Sequence, residues 1–282
     1  MKETNTGMKL YRDFYRDEDM HVFVDISTYC NAGCPECHRT DITSGGLGKI
    51  SWLPLIQWTV EEFKNAYDEE FVSTVRLWEI CGTWGDPIMC KDLYEICEYI
   101  LDVNPHTHLT IDTNGSVRPK SWWRKIGKLS EKCKGYGFIR FDFAIEGINQ
   151  QMQEKYRRKT FLDKILANMK EVTDAGAKAT AFCVVHKHNQ DYLQEIMDLS
   201  FAYGAEDINF VESNRFFAGP NFKFIDEHGK EDVLEQVTEG YHKPKDVRDA
   251  QSDWKTRIEF LPDWYVQMRE KVEAVEEEED IH

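Results

Sequence analysis

Apolar positions along this chain come in short runs that switch between a period of two and a period near 3.6. The segment 21–27, His-Val-Phe-Val-Asp-Ile-Ser, alternates β-branched and aromatic residues with polar ones and predicts a strand. Thr59 opens a helix running to about Phe71, with Glu61 and Glu62 in its first turn. The pattern then repeats. Strands are expected at 72–81, 106–112, 136–145, 177–186 and 207–212. Helices are expected at 92–103, 119–132, 161–175 (stopped by Gly176) and 192–203 (stopped by Gly204). Six strands alternating with five helices imply right-handed βαβ units and a parallel α/β sheet. Six strands suit an open partial barrel or a doubly wound sheet, whereas an eight-fold barrel would need two more units. In both cases chemistry belongs at the carboxyl ends of the strands.

Outside this frame the pattern weakens. Residues 1–20 are polar and read as a lead-in, and 31–50 is a loop broken by Gly33, Pro35, Gly45, Gly46 and Gly48. After Asn214 the alternation decays, with one or two helices expected between 258 and 275 and a solvated acidic tail at 276–280. The expected organisation is lead-in 1–20, barrel 21–215 and C-terminal extension 216–282.

Charge narrows the partners. Lys and Arg number 35 against 51 Asp and Glu, a formal net charge of −16. Such a chain repels phosphate, so duplex nucleic acid and anionic membrane surfaces are not expected partners. The start of the chain has no apolar signal core, and the longest apolar runs, such as 181–185, fall far short of a membrane span of roughly 20 residues. A cytoplasmic location is expected, with the eight cysteines reduced or ligating metal.

Three of those cysteines cluster. Cys30-Asn-Ala-Gly-Cys34-Pro-Glu-Cys37 has the spacing C-x3-C-x2-C and follows the first strand. Three thiolates on one loop can hold a cubane iron–sulfur cluster with one iron left open. A zinc ion bound by the three cysteines, with His38 as fourth ligand, meets the same spacing.

Further landmarks follow in order. They are Thr83-Trp-Gly-Asp-Pro-Ile88 after the second strand, Asp112-Thr-Asn-Gly115 after the third and Ala144-Ile-Glu-Gly147 at the fourth. Tyr156-Arg-Arg158 and Val184-Val-His-Lys-His-Asn189 complete them. With the cysteine triplet, these resemble the radical S-adenosylmethionine (SAM) superfamily, and within it the peptide-maturase branch, over about residues 21–215. Two positions depart from that pattern: Glu36 stands where an aromatic residue usually lies against the adenine, and Ala144 where Ser is usual.

The resemblance implies a six-fold βα partial TIM barrel, a [4Fe-4S] cluster on Cys30, Cys34 and Cys37, and SAM chelating the open iron. It implies that one electron, from a small donor of flavodoxin or ferredoxin type, cleaves SAM to methionine and a 5′-deoxyadenosyl radical, which abstracts a substrate hydrogen. Trp84, Gly85 and Asp86 would hold the SAM amino group, with Gly85 allowing close backbone approach. Arg157 or Arg158 would meet the SAM carboxylate. Glu36, Asn114, Glu146 and Asn189 complete the expected cofactor contacts, and His186, His188 and Arg215 the expected substrate contacts.

Other signals are weaker. The segment Ser44-Gly-Gly-Leu-Gly-Lys49 fails as a phosphate loop and reads as a flexible loop over the cluster. The pair His106 and His108 reads as strand-end hydrogen bonding. Cys81, Cys90, Cys97, Cys133 and Cys183 read as small hydrophobes, and the tryptophans as packing. Residues 215–225 carry Phe216, Phe217, Phe222 and Phe224, which either cap the barrel opening or anchor the extension. The chain has no cysteine after Cys183, so the extra C-terminal clusters of the maturases are not expected. The expected function is a single-cluster radical SAM oxidoreductase acting on a peptide, a protein side chain or a small metabolite. The alternatives are a nucleotide- or base-modifying radical SAM enzyme and a zinc-stabilised binding module without catalysis.

Overall fold

The computed structural model describes residues 20–241 and Pro244. The expected lead-in, the helices at 258–275 and the acidic tail lie outside the described residues. Six parallel strands form one sheet in the order β1 (Met20–Val24), β2 (Val75–Ile80), β3 (His108–Thr113), β4 (Phe138–Ala144), β5 (Lys178–Val185) and β6 (Asp207–Glu212). Each strand hydrogen-bonds to the next in the chain, so the sheet winds in one direction as the open six-fold partial barrel expected from the sequence.

Helices cover one face. They are α1 (Val60–Ala66), α2 (Glu69–Thr74), α3 (Leu93–Val103), α4 (Lys120–Gly127), α5 (Gln150–Tyr156), α6 (Leu162–Asp174) and α7 (Leu193–Ala202). Their apolar stripes meet outward-facing strand residues in one core that includes Phe63, Trp78, Trp123, Phe141 and Phe143. The helix expected at 59–71 is broken in two. A Thr59–Glu62 capping box starts α1, and the Asp68 side chain then accepts a 2.9 Å hydrogen bond from the Phe71 amide to start α2. The strand expected from residue 72 therefore begins at Val75. The helix expected at 119–132 tightens into a 3₁₀ turn after Gly127, where a Cβ would lie 2.6 Å from the Val172 carbonyl of α6.

Two elements were not expected. Helix α5 is capped by Asn149, whose side chain accepts from the Met152 amide at 2.9 Å. An antiparallel hairpin, β7 (Asn221–Ile225) and β8 (Glu231–Glu235), occupies part of the segment where the sequence pattern decays. Its Phe224 and Leu234 are buried with Ala32, Cys34, Leu47 and Tyr156 in a second, smaller core under the cysteine loop.

The opposite face of the sheet is different in kind. At alternate positions the strands turn Glu79, Thr110, Asp112, Arg140, Asp142 and Asn209 inward. Parallel strands covered on both faces are ordinarily apolar throughout. This polar column marks the barrel interior as a site rather than a packed core.

Candidate active site

The carboxyl ends of the strands open on a cavity of about 820 Å³. Cys30, Cys34 and Cys37 line it together with residues of the loops after β2, β3 and β6. The cysteine loop is held from several sides. The Arg39 guanidinium donates to the Thr28 carbonyl at 3.1 Å, the Gly33 amide donates to Arg158 O at 3.0 Å, and the Cys37 amide donates to Cys34 O at 3.1 Å. The Ser44–Lys49 segment, expected to be a flexible flap, is folded against this loop. Thr40 and Lys49 form a bridge, Leu47 is buried with the loop, and the Lys159 ammonium caps the carbonyls of Gly46 and Leu47.

Burial pushes the Cys34 thiol up to about 11, partly offset by the neighbouring Arg157 charge. Burial and the charge of Asp86 push Cys30 up as well. Thiols so placed ligate only where a metal centre displaces the proton. Among the described residues, no three Cys, His, Asp or Glu side chains are gathered to bind a single ion. The His38 ring stands 3.4 Å from the Arg215 guanidinium. A mononuclear zinc site needs four ligands converging at about 2.0–2.3 Å, and this arrangement does not supply them. A cubane takes one thiolate at each of three separate irons, and all three cysteines line this cavity.

The other expected cofactor residues divide into those that reach the cavity and those that do not. Glu36, Gly85, Asp86, Asn114 and Arg157 line it, as does Arg215, an expected substrate contact. Asp86 is already committed within the chain: its carboxylate accepts from the Ile88 amide at 3.1 Å, the Asn114 amide at 2.8 Å and the Asn114 side chain. It thereby ties the loop after β2 to the loop after β3. Asn114 also donates to Asn31 of the cysteine loop at 3.0 Å. A Cβ on Gly85 would lie 2.1 Å from the Ser27 carbonyl. A close approach that requires glycine here is to the chain's own β1 loop.

Trp84 stands outside the cavity lining, edge-on to Trp52 at 5.4 Å. Its amide and that of Thr83 point at Asp25 Oδ1, at 3.4 and 3.0 Å. The Arg pair splits. Arg157 donates to Glu146 at 2.7 Å and lies 3.7 Å from Cys34 Sγ, whereas Arg158 turns away to Glu227 and Asp232 of the hairpin segment. Glu146 and Asn189 are fully buried behind the wall. The Asn189 side chain donates to the carbonyls of Glu146 and Val184 and accepts from the His186 amide, stitching the ends of β4 and β5 together.

His186 and His188 are not on the cavity wall either. His186 is buried against the Tyr156 ring, its Nε2 2.9 Å from Glu36, and His188 stacks behind it with a pKa lowered to about 4 by burial. The turn from His186 to Gln190, closed by backbone bonds back to the His186 carbonyl, carries the His186 ring under the surface and leaves His188 half-buried. Of the expected substrate contacts only Arg215 faces the opening. The motifs gave no site role to Glu79, Asp112, Asp142 or Asn209, all on the wall. The available signal was polar or charged residues on one face of otherwise apolar strands.

A parallel partial barrel with three cysteines on the loop after β1, facing a cavity at the strand ends, defines a cofactor-dependent α/β enzyme class. Residues 24–200 match the Radical SAM superfamily, and the chain belongs to that superfamily. Among curated relatives it is similar to the GTP 3′,8-cyclase of Aliarcobacter butzleri, 24% identical over 58% of this chain and 46% of that one. The GTP 3′,8-cyclase of Campylobacter curvus is 23% identical over 81% of this chain and 65% of that one. The chain thus spans about half to two thirds of the length of these relatives. Among solved structures, Streptococcus suis SuiB bound to S-adenosylmethionine superposes with a TM-score of 0.51 at 14% identity, over 73% of this chain and 42% of that one. The anSMEcpe structure with bound AdoMet gives 0.52 at 12%, over 69% and 51%. These likenesses concern the fold.

Proposed function

We propose that Cys30, Cys34 and Cys37 hold a [4Fe-4S] cluster whose open iron takes SAM, and that the cavity receives a small-molecule substrate from which hydrogen is abstracted. The observation that carries this reading is the convergence of the three thiols, Asn114, Arg157 and the loop after β2 on one cavity of about 820 Å³. That size falls within the range of small-molecule sites, roughly 300–1,000 Å³. When bound, cluster and SAM supply a 5′-deoxyadenosyl radical at the cost of one electron. The chain's own contribution is placement and exclusion of water. Arg157, anchored by Glu146, offers a guanidinium beside Cys34 for the SAM carboxylate. Asn114 and Asp86 lock together the two loops that would hold SAM. The electron comes from a flavodoxin- or ferredoxin-type donor, and the work is done in the reducing cytoplasm. No helix of the described residues is long and apolar enough to cross a membrane.

A nucleotide substrate is a second reading, favoured by the names of the GTP 3′,8-cyclase relatives. A peptide substrate, as in SuiB bound to its precursor peptide, has support from the fold alone. The barrel, 21–215, is the catalytic unit in this proposal, and the segment from 216 supports the cysteine loop rather than capping the opening. Anaerobic reconstitution tests the reading. Four irons per chain, and 5′-deoxyadenosine formed from SAM with dithionite, are expected. Cys30→Ala, Cys34→Ala and Cys37→Ala should each lose both, and a Cys30→Ala protein retaining four irons would falsify the cluster assignment.

A further inference from the structure

The depth of the cavity carries more charge of one sign than the chain neutralises. Glu79 of β2, Asp112 of β3 and Asp142 of β4 come from three adjacent strands, and Asp112 and Asp142 are register partners across the ladder. Neighbouring strands lie about 4.8 Å apart, so these carboxylates face one another at close quarters. Asp142 is engaged by Arg140 at 2.9 Å. Glu79 and Asp112 form no ion pair with the described residues, and the shared Arg140 offsets only part of their mutual repulsion. Two further atoms of cavity-lining residues are buried without a hydrogen-bond partner: Nδ2 of Asn209, a residue 7% exposed, and Oε1 of Glu36, a residue 6% exposed whose other oxygen meets His186 at 2.9 Å. Such atoms cost about 1–3 kcal/mol each unless something meets them. Three of the groups are carboxyl groups, and the fourth is a neutral amide donor.

We infer that the floor of the cavity, lined by Glu79, Asp112 and Asn209 together with Glu36, binds a small substrate through an ammonium or amidinium group flanked by a hydrogen-bond acceptor. A cation there neutralises carboxylates that otherwise repel one another, and the neighbouring acceptor satisfies Asn209. A phosphate or carboxylate at the same depth meets like charge on three strands, so anionic groups of any substrate stay at the mouth, near Arg157 and Arg215. The inference deepens the proposed small-molecule reading and rests on it.

Three probes of one carbon skeleton test it on the reconstituted full-length protein at matched ionic strength: 1,3-diaminopropan-2-ol, glycerol and hydroxymalonate. By calorimetric titration the diamine is expected to bind at least ten-fold more tightly than glycerol, with no binding of hydroxymalonate at the floor. In the Glu79→Gln/Asp112→Asn protein that preference should disappear. Equal affinity for diamine and glycerol in the wild type would overturn the inference, and so would an undiminished preference in the double variant. If the variant does not fold, the wild-type comparison decides alone. Iron is counted on the same preparation. A protein without its cluster that still prefers the diamine sinks the proposed function and leaves the cation-binding floor standing. A four-iron protein without that preference does the reverse.

Discussion

Arg157 Nε donates to Glu146 Oε1 at 2.7 Å, and the same guanidinium lies 3.7 Å from Cys34 Sγ. Glu146 is fully buried at the end of β4, and Arg157 reaches it from the end of α5 across the strand-end surface. Burial raises the Glu146 pKa, and the Arg157 charge and hydrogen bond oppose that rise. The guanidinium is thus fixed beside the cysteine loop by a carboxylate that itself touches no solvent.

Removing one partner of a buried pair leaves the other charge uncompensated. Arg157→Ala is therefore expected to cost about 3–5 kcal/mol in urea unfolding. Glu146→Gln keeps the shape and an acceptor, and should cost less in stability while weakening SAM binding, because Arg157 is no longer held. A Glu146→Gln protein with unchanged SAM affinity would show that Arg157 needs no anchor.

The motifs and the strand–helix alternation were legible because each depends on short stretches of chain. The cysteine spacing and the loop after each strand could be placed by counting residues from a strand end. Three-dimensional sharing of groups was not legible. Arg157 and Arg158 are adjacent and identical in type, yet one faces the cysteines and the other the hairpin, a choice set by the turn after α5. His186 and His188 sit at the expected strand end, but a tight turn buries His186 and keeps both off the cavity wall. The hairpin was missed because its segment mixes Gly, Pro and charge, and its strands, exposed on one side, alternate for only five residues each.

Gly85 supplies a second test. A methyl group there meets the Ser27 carbonyl at 2.1 Å, with Thr28 Cα at 2.8 Å. Gly85→Ala must push the loop after β2 away from β1, at a cost in the range of overpacked sites, about 1–3 kcal/mol. The loss should appear as a lower Tm with SAM omitted. An unchanged Tm together with lost SAM binding would place the close contact with the cofactor instead.

The hairpin's role is open to truncation. Phe224 and Leu234 are buried with Cys34 and Leu47. Ion pairs from Lys155 to Asp232 (2.7 Å) and from Arg158 to Glu227 (3.2 Å) and Asp232 pin the hairpin segment beside α5. Ending the chain after Glu212 should therefore lose iron together with turnover, because the cysteine loop loses its underside. Leu234→Ala should cost about 2–5 kcal/mol and lower the iron content on reconstitution. Full iron with no turnover in the truncated chain would instead assign the segment to substrate closure.

The carboxylates of the cavity floor make a prediction about pH. Burial, then the Asp142 charge, raises Glu79; burial, then Asp142 and Glu79, raises Asp112 well above the usual carboxylate range. In the unfolded chain both groups titrate near their ordinary values, about 4. Between those values and the raised ones, the folded chain binds more protons than the unfolded chain. Stability therefore falls as pH rises through that window. Asp41, Asp226 and Asp232 are lowered and act in the opposite sense, but they are common to wild type and variant and cancel in a difference. Urea unfolding of wild type and Glu79→Gln/Asp112→Asn is measured from about pH 4.5 to about pH 8. The variant, which cannot ionise at these positions, should gain stability relative to wild type steadily as the pH rises. A saturating amine that fills the floor should flatten the wild-type slope by stabilising the ionised pair. A constant difference between the two proteins across the range would mean that Glu79 and Asp112 are solvated in the folded chain. A difference of the opposite sign would mean that a cation of the chain already compensates them.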